Sequence, residues 1–381
     1  MILYFNPAYL KHPTIQHAII ENRGSDTLSK LANLNKINSA HSAIYSRKGI
    51  NLLPFKNELI DVPGFAMPDY NPDYNMSWTE VTDQRCLGLR STHFDRPWVV
   101  MWSGGIDSTV IVAAIIKNLP RADFDNITIA CTAVSIWENP QFYFDHIKPN
   151  FKVVNSSDLL SHEFGSQDTY IINGEPADQL FGCLGGHLDS LYQNPDLLHT
   201  DIIKNKDCAI DFISDLTTDK NFAEWYYHVL LDNARSAGVP VSTLHGLMWW
   251  SGFNNAWVSV KFRIIFSFQG NWKNIKNAKS YVNKFVHWYD NNDYQQWSMN
   301  SNNRGEQLGN NASEYKLAAK KYIYSVDNNK YHFKFKTKMA SADLIDISQP
   351  NHWCCVDDNW NLLNLRDHRD QIISMLPNHL V

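Results

Sequence analysis

Pro97-Trp-Val-Val-Met-Trp102-Ser103-Gly104-Gly105-Ile106-Asp107-Ser108-Thr109 is the stretch on which the reading of this chain turns. A compact apolar run of strand length ends at Trp102. Two glycines follow, and from Asp107 to Leu119 the residues run at helical length. The pattern is strand, tight turn, helix. Two glycines let the backbone turn sharply and aim successive N–H groups at one point, which makes an anion nest. The helix N-terminus adds partial positive charge and unpaired donors. Ser103, Ser108 and Thr109 bring hydroxyls that suit phosphate oxygens. Asp107 cannot take a phosphate directly, but it can hold a Mg²⁺ that bridges phosphates. The simpler alternative is a Ser/Gly turn with Asp107 as helix cap. The loop lacks a Gly-Lys-Ser/Thr ending, so no lysine reaches a terminal phosphate from within it. Such a nest suits a reaction in which pyrophosphate leaves intact.

Working outward, Asn126–Val134 reads as a second buried strand, Pro140–Ile147 as a helix and Phe151–Val154 as a third strand. Asp158–Phe164 reads as a short helix, Thr169–Asn173 as a fourth strand, and a helix starts near Asp178. Strands and helices alternate with short connections, which predicts an α/β fold: a parallel sheet with helices on both faces. Ligands of such sheets bind beyond the carboxyl ends of the strands. Upstream, Asn51–Phe55 and Ile60–Phe65 read as short strands, and Pro68–Asn75 as a turn-rich linker. Downstream, strand signals fade. Phe222–Asn233, Leu244–Phe253 and Tyr281–Trp288 carry apolar residues at helical spacing, so the second half reads as mostly helical. Asn291–Asn311 is rich in Asn, Gln and Ser and contains a loop, either a solvated connection or a cover over a site. The predicted organisation is a mixed region over 1–95, a nucleotide-binding α/β domain over 96–195 and a mostly helical substrate-side portion over 196–381.

A second motif, Asn173-Gly174-Glu175-Pro176-Ala177-Asp178-Gln179-Leu180-Phe181-Gly182, follows the fourth strand and opens a helix. Its two acids read either as favourable helix N-terminal charge or as functional carboxylates. Together the two motifs resemble the N-type ATP pyrophosphatases, whose signature is Ser-Gly-Gly-x-Asp-Ser. Asparagine synthetase, β-lactam synthetase, GMP synthetase and NAD synthetase carry such a loop and cleave ATP between its α and β phosphates. The second motif is similar to Ser-Gly-Glu-Gly-(Ala/Ser)-Asp-Glu-Leu-Phe-Gly-Gly of the asparagine synthetase synthetase domain. The resemblance runs from about residue 60 to 340 and implies an adenine nucleotide alpha hydrolase-like fold. It also implies ATP and Mg²⁺ as cofactors, with Ser103, Gly104, Gly105, Asp107, Ser108, Thr109 and Gly174 binding nucleotide. Asp107 and Asp178 are then the metal ligands. Glu175 faces the acyl-adenylate and the incoming nitrogen, where a carboxylate can act as general base. Asn173, Pro176 and Gln179 depart from the family's Ser, Gly and Glu.

Lys334, Lys336 and Lys338 alternate, as on an exposed edge strand guarded by charge. Lys336-Thr-Lys338-Met also resembles the Arg-Pro-Lys-Met-Gly-Phe type segment of the same domain. On that match Lys338 is the catalytic lysine, neutralising charge that builds on phosphate and carbonyl oxygens; a slip of two residues gives Lys336 that role. Phe285–Tyr294 is similar to the family's Arg-Val-Pro-Phe-Leu-Asp segment, with Asp290 in a structural part.

The implied activity is an ATP-dependent, AMP-forming carbon–nitrogen ligase joining a small-molecule carboxylate to ammonia or an amine. The alternatives are a nucleobase- or tRNA-modifying ATP pyrophosphatase and an inactive nucleotide-binding scaffold. Residue 2 is Ile where glutamine-dependent relatives place a catalytic Cys, so nitrogen would come from solution or from a separate glutaminase. A net charge of -5 over 381 residues argues against nucleic acid as a partner. No apolar run approaches a bilayer span, and no secretory leader is visible at Met1–Phe5, so the expected location is cytoplasmic. Six scattered cysteines, without a Cys-x-x-Cys pair, give no support to a zinc site or a disulfide framework.

Overall fold

The computed structural model describes residues 25–37, 47, 67–156, 168–182, 194–257, 260–261, 283–300, 314–336, 355–356 and 362–363. The chain divides into two compact units, each drawn from three segments. Ser77–Gly174, Ser267–Trp288 and Ser313–Val381 form a sheet unit; Met1–Met76, Glu175–Phe266 and Tyr289–Ala312 form a helical unit. The units interleave along the chain, unlike the consecutive blocks 1–95, 96–195 and 196–381 read from the sequence. The principal elements in chain order are α1 (Ser25–Ile37), α2 (Trp78–His93), β1 (Trp98–Met101), α3 (Ile106–Asn118), β2 (Ile127–Cys131), α4 (Ala133–Glu138), β3 (Lys152–Asn155) and β4 (Tyr170–Asn173). They continue with α5 (Ala177–Phe181), α6 (Lys206–Thr217), α7 (Lys220–Ser236), α8 (Leu244–Ser251), β5 (Phe285–His287), α9 (Asn292–Met299), α10 (Leu317–Asp327) and α11 (Lys330–Phe335). No helix among the described residues is long and apolar enough to cross a membrane.

In the sheet unit, five parallel strands lie in the order β3-β2-β1-β4-β5. The central strand β1 aligns Trp98 with Ile127 on one side and with Tyr170 on the other. Its successive residues Trp98, Val99 and Val100 are all buried. Neighbours on a strand point to opposite faces, so both faces of β1 are covered, as the continuous apolar run requires. From β1 the chain first builds outward through β2 and β3, then returns to place β4 and β5 on the other side. The crevice between the carboxyl ends of β1 and β4 is therefore the switch point at which ligands of open parallel sheets bind.

Two elements differ from the sequence reading. Tyr281–Trp288 was expected to be helical, but Phe285–His287 forms edge strand β5, pairing Ile171 with Phe285 and Asn173 with His287. Four consecutive buried residues, Phe285 to Trp288, fit either period, and pairing to β4 decides for the strand. Helix α2 occupies Trp78–His93, where only a mixed region with a linker was read. Its capping box is visible in Ser77-Trp-Thr-Glu80: Glu80 N–H donates to Ser77 Oγ, and Ser77 N–H donates to the Glu80 carboxylate. Two of its five buried positions are Thr82 and Cys86, which thins the apolar stripe.

Helices α2, α3 and α10 pack on one another. Helix α3 is apolar almost all round, with Val110–Ile115 fully buried. Asp83 on α2 fastens the three together: Lys117 Nζ donates to it at 2.7 Å, Asn118 Nδ2 at 2.9 Å and the Tyr322 hydroxyl at 2.5 Å. Burial pushes the Asp83 carboxyl up, and these three donors outweigh it, so its pKa lies below the ordinary value. This packing sets the start of α10 beside the start of α3.

The helical unit has an aromatic core in which Trp249 stacks on Phe253 and Phe253 meets Trp257 edge-on. Asp290 accepts from Lys261 and from Trp257 Nε1, which suits the structural part read for it. Within Asn291–Asn311, where a loop was read, residues Asn292–Met299 form α9, capped by Asn291. Residues 301–311 lie outside the described set, as do the short strands read over 51–65 and the helix over 158–164.

Candidate active site

Ser103-Gly104-Gly105 joins the end of β1 to the start of α3. Gly104 has φ +80°, in the left-handed region. A Cβ there would fall inside contact distance of the Ser135 carbonyl oxygen and 2.8 Å from Glu138 Cβ, so this turn requires glycine twice over. Gly105 is the helix N-cap and has no side chain to satisfy the first-turn N–H groups. Asp107 is thus the second residue of α3 rather than its cap. The turn is braced from inside. Ser103 N–H donates to Ser108 Oγ at 3.1 Å, Gly105 N–H donates to Ser103 Oγ at 3.3 Å, and Ser108 Oγ donates to the Gly105 carbonyl at 3.2 Å. Thr109 is fully buried and accepts from Trp102 Nε1 at 3.1 Å, so its hydroxyl serves the strand–helix joint.

Gly174 follows β4 directly. A Cβ on it would lie 3.3 Å from Asp107 Cβ and 3.4 Å from the Ser108 nitrogen, so its backbone passes close against the first turn of α3. The structure therefore brings Ser103, Gly104, Gly105, Asp107, Ser108, Thr109 and Gly174 to one spot. Asn173 and His287 are neighbours at the ends of β4 and β5. Asn173 Oδ1 is 3.0 Å from His287 Nδ1, and the Asn173 carbonyl accepts from Trp288 N–H at 3.0 Å.

Lysines surround the turn, and the sequence reading did not single out two of them. Lys316 caps α10 and donates to both carboxylate oxygens of Asp107, at 2.5 and 2.6 Å. Its side chain is 3% exposed. Lys320 lies one turn on and is 0% exposed. Burial lowers its pKa to about 8, helped by Lys336 and Lys316 and opposed by Glu314. Lys336 Nζ donates to Glu138 Oε1 at 2.6 Å in a buried ion pair. Glu138 Oε1 lies against the turn, 3.4 Å from where a Gly105 Cβ would be, and Glu138 Oε2 has no hydrogen-bond partner among the described residues. Burial raises the Glu138 pKa, although Lys336 pulls it down. His332, one helical turn before Lys336, is driven to about 3 by burial and then by Lys336 and Lys320, so its imidazole is neutral.

Lys336 is thus part of this cluster, while Lys338 lies outside the described residues. The alternating lysines do not form an edge strand: Lys330–Phe335 is helix α11, capped by Asn329, and Lys334 points to solvent. A signal for Lys320 existed in Glu314-Tyr-Lys316-Leu-Ala-Ala-Lys320, where a lysine shares a helix with buried alanines. Glu138 carries none.

Glu175 and Asp178 belong to the helical unit. Asp178 is half-buried in the first turn of α5. That helix is held by Ser298 Oγ, which donates to the Leu180 carbonyl at 2.7 Å and accepts from Trp249 Nε1 at 2.9 Å, and by Phe181 edge-on to Trp297. Gln179 is 1% exposed, where an amide costs less to bury than a carboxylate. A polar hollow of about 480 Å³ lies elsewhere in this unit, between α1 and the turn joining α6 to α7, and contains none of these residues.

Among the described residues, no group of three or more His, Cys, Asp or Glu is arranged to hold a metal ion. Asp107 has the oxygen donors that Mg²⁺ takes, but both oxygens engage an ammonium. It fits a metal once Lys316 moves off it. Comparison with protein-family models, with curated proteins and with solved structures found no match to this chain.

Proposed function

We propose that this chain is an ATP-dependent, AMP-forming carbon–nitrogen ligase of the asparagine synthetase-like kind, on an adenine nucleotide alpha hydrolase-like fold. The observation that carries the reading is the lysine-ringed glycine turn at the switch point of the sheet. A left-handed Gly104 and the uncapped first-turn N–H groups of α3 form the turn, with the Lys316 ammonium on Asp107 and the Lys336 ammonium on Glu138 beside it, and together they support one anion site. That inventory suits pyrophosphate as a leaving group. Charge on departing phosphate oxygens is met by the backbone N–H groups of the turn, which need no rearrangement when it develops, and by lysines beside it. The Ser103 hydroxyl adds a short-range donor, while the Ser108 hydroxyl braces the turn through the Gly105 carbonyl. Lys336, held by Glu138, takes the part first assigned to Lys338, with charge beside the turn.

When bound, Mg²⁺ would supply charge neutralisation at the phosphates, with Asp107 as its ligand from the sheet unit. Glu175 is the base that accepts a proton from the attacking nitrogen. The acid is a small-molecule carboxylate, and the nucleophile is ammonia or an amine, free or delivered by a separate glutaminase. The test is carboxylate-dependent exchange of labelled pyrophosphate into ATP, run with a panel of acids beside amide formation. Glu175→Gln is expected to retain exchange and lose amide formation by tenfold or more. Equal loss of both refutes its role, and absence of exchange with every acid refutes the adenylation.

A further inference from the structure

We propose that Lys316 is a placeholder cation: it closes Asp107 to divalent metal until a polyphosphate draws the ammonium away. The inference rests on the nucleotide reading above, and on four features of the sheet unit. Lys316 Nζ meets both Asp107 oxygens, so a metal reaching that carboxylate competes with an ammonium already in place. The Lys316 side chain is 3% exposed against 27% for Asp107, so the ammonium reaches the carboxylate from the protein side and leaves the open side to ligand.

Lys316 is also one of three non-glycine residues with positive φ among those described, at φ 58° and ψ 37°. An L-residue with a long side chain pays for that conformation, and such residues persist where their surroundings over-determine them. Here the left-handed turn starts α10 and aims Lys316 across to α3. Finally, the acids around Asp107 are already matched in charge. Lys316, Lys320 and Lys336 accompany Asp107, Glu138 and Glu314, while His332 is neutral, and the first turn of α3 adds its own positive end. A bare dication finds no net negative charge there. A polyphosphate is attracted, offers Lys316 several anionic oxygens in exchange for one carboxylate, and frees Asp107. Metal binding thereby becomes conditional on polyphosphate.

The test is Mn²⁺ binding to the full chain without nucleotide, read as loss of the free-ion electron paramagnetic resonance signal. Lys316→Met and Lys316→Gln are compared with the unmodified protein, and pyrophosphate binding is measured separately by calorimetry in chelator. The unmodified protein is expected to bind Mn²⁺ at least tenfold more weakly than either Lys316 variant, and Asp107→Asn in the variant background is expected to remove the gain. Equal Mn²⁺ affinity in the unmodified protein and in whichever variant folds overturns the placeholder role while leaving the nucleotide reading standing, provided pyrophosphate binds. Failure of pyrophosphate to bind the unmodified protein overturns both.

Discussion

Lys320 is expected to make the proposed anion site sensitive to alkaline pH. It is fully buried on α10, and its pKa falls from 10.5 to about 8 through burial first and then through Lys336 and Lys316, against Glu314. With that value it is about nine-tenths charged at pH 7 and about one-tenth charged at pH 9. A bound polyanion favours the charged form, so ligand binding takes up a proton wherever free Lys320 is neutral. If the complex restores the ordinary pKa, pyrophosphate affinity falls about tenfold between pH 7 and pH 9, or about 1.4 kcal/mol. Folding stability moves the other way. The unfolded chain binds the proton more tightly, so this residue's contribution rises with pH from about 8 to 10.5. The assay is calorimetric titration with inorganic pyrophosphate in chelator, at pH 7, 8 and 9, in buffers of different ionisation enthalpy. Pyrophosphate's own ionisation is cancelled by comparison with Lys320→Met, which is expected to lose the tenfold trend and about half a proton of uptake at pH 8. Parallel pH profiles for the two proteins would refute the reasoning.

Gly104→Ala is expected to cost at least about 2 kcal/mol in urea unfolding, because a left-handed alanine also meets the Ser135 carbonyl. Gly105→Ala, at ordinary φ and with a hydroxyl at 3.3 Å as its tightest neighbour, should cost clearly less; equal losses would deny the turn its special geometry. Glu138→Ala strands a lysine in a buried setting and is expected to destabilise by about 3–5 kcal/mol, whereas Glu138→Gln with Lys336→Met recovers most of it. Additive losses in that thermal-denaturation cycle would show that the two residues are not coupled. Ser77→Ala removes the cap of α2 and is expected to lower stability by about 1 kcal/mol without altering pyrophosphate affinity; a change in affinity would count against α2 as a support remote from the site.

What the residues reveal before any coordinates is the part governed by local rules. Strands β1 to β4 and the turn at Ser103–Gly105 were legible because buried parallel strands read as unbroken apolar runs and glycine pairs punctuate them. Helix α2 was legible in its Ser77/Glu80 box but was overlooked beside a turn-rich linker. Strand β5 was not legible, since Phe285–His287 is too short to show a period and owes its conformation to pairing with β4. The site divides in the same way. Hydroxyls and glycines announce themselves by spacing. The Lys316–Asp107 and Lys336–Glu138 pairs join residues separated by 209 and 198 positions, which only the packing of α10 and α11 in the sheet unit brings together. Lys336 was weighed behind Lys338 because Lys338 aligns with the lysine of the Arg-Pro-Lys-Met type segment, whereas a helix from Lys330 puts His332 and Lys336 one turn apart.

The most direct test of the central claim is which bond of ATP breaks. Purified protein, ATP, Mg²⁺ and a mixture of small carboxylates and amines are followed by phosphorus NMR, with Gly104→Ala alongside. AMP and pyrophosphate in equal amounts from the unmodified protein, and neither from the variant, are the expected products. ADP and inorganic phosphate, or AMP formation that survives Gly104→Ala unchanged, would contradict the assignment of the glycine turn as the pyrophosphate site.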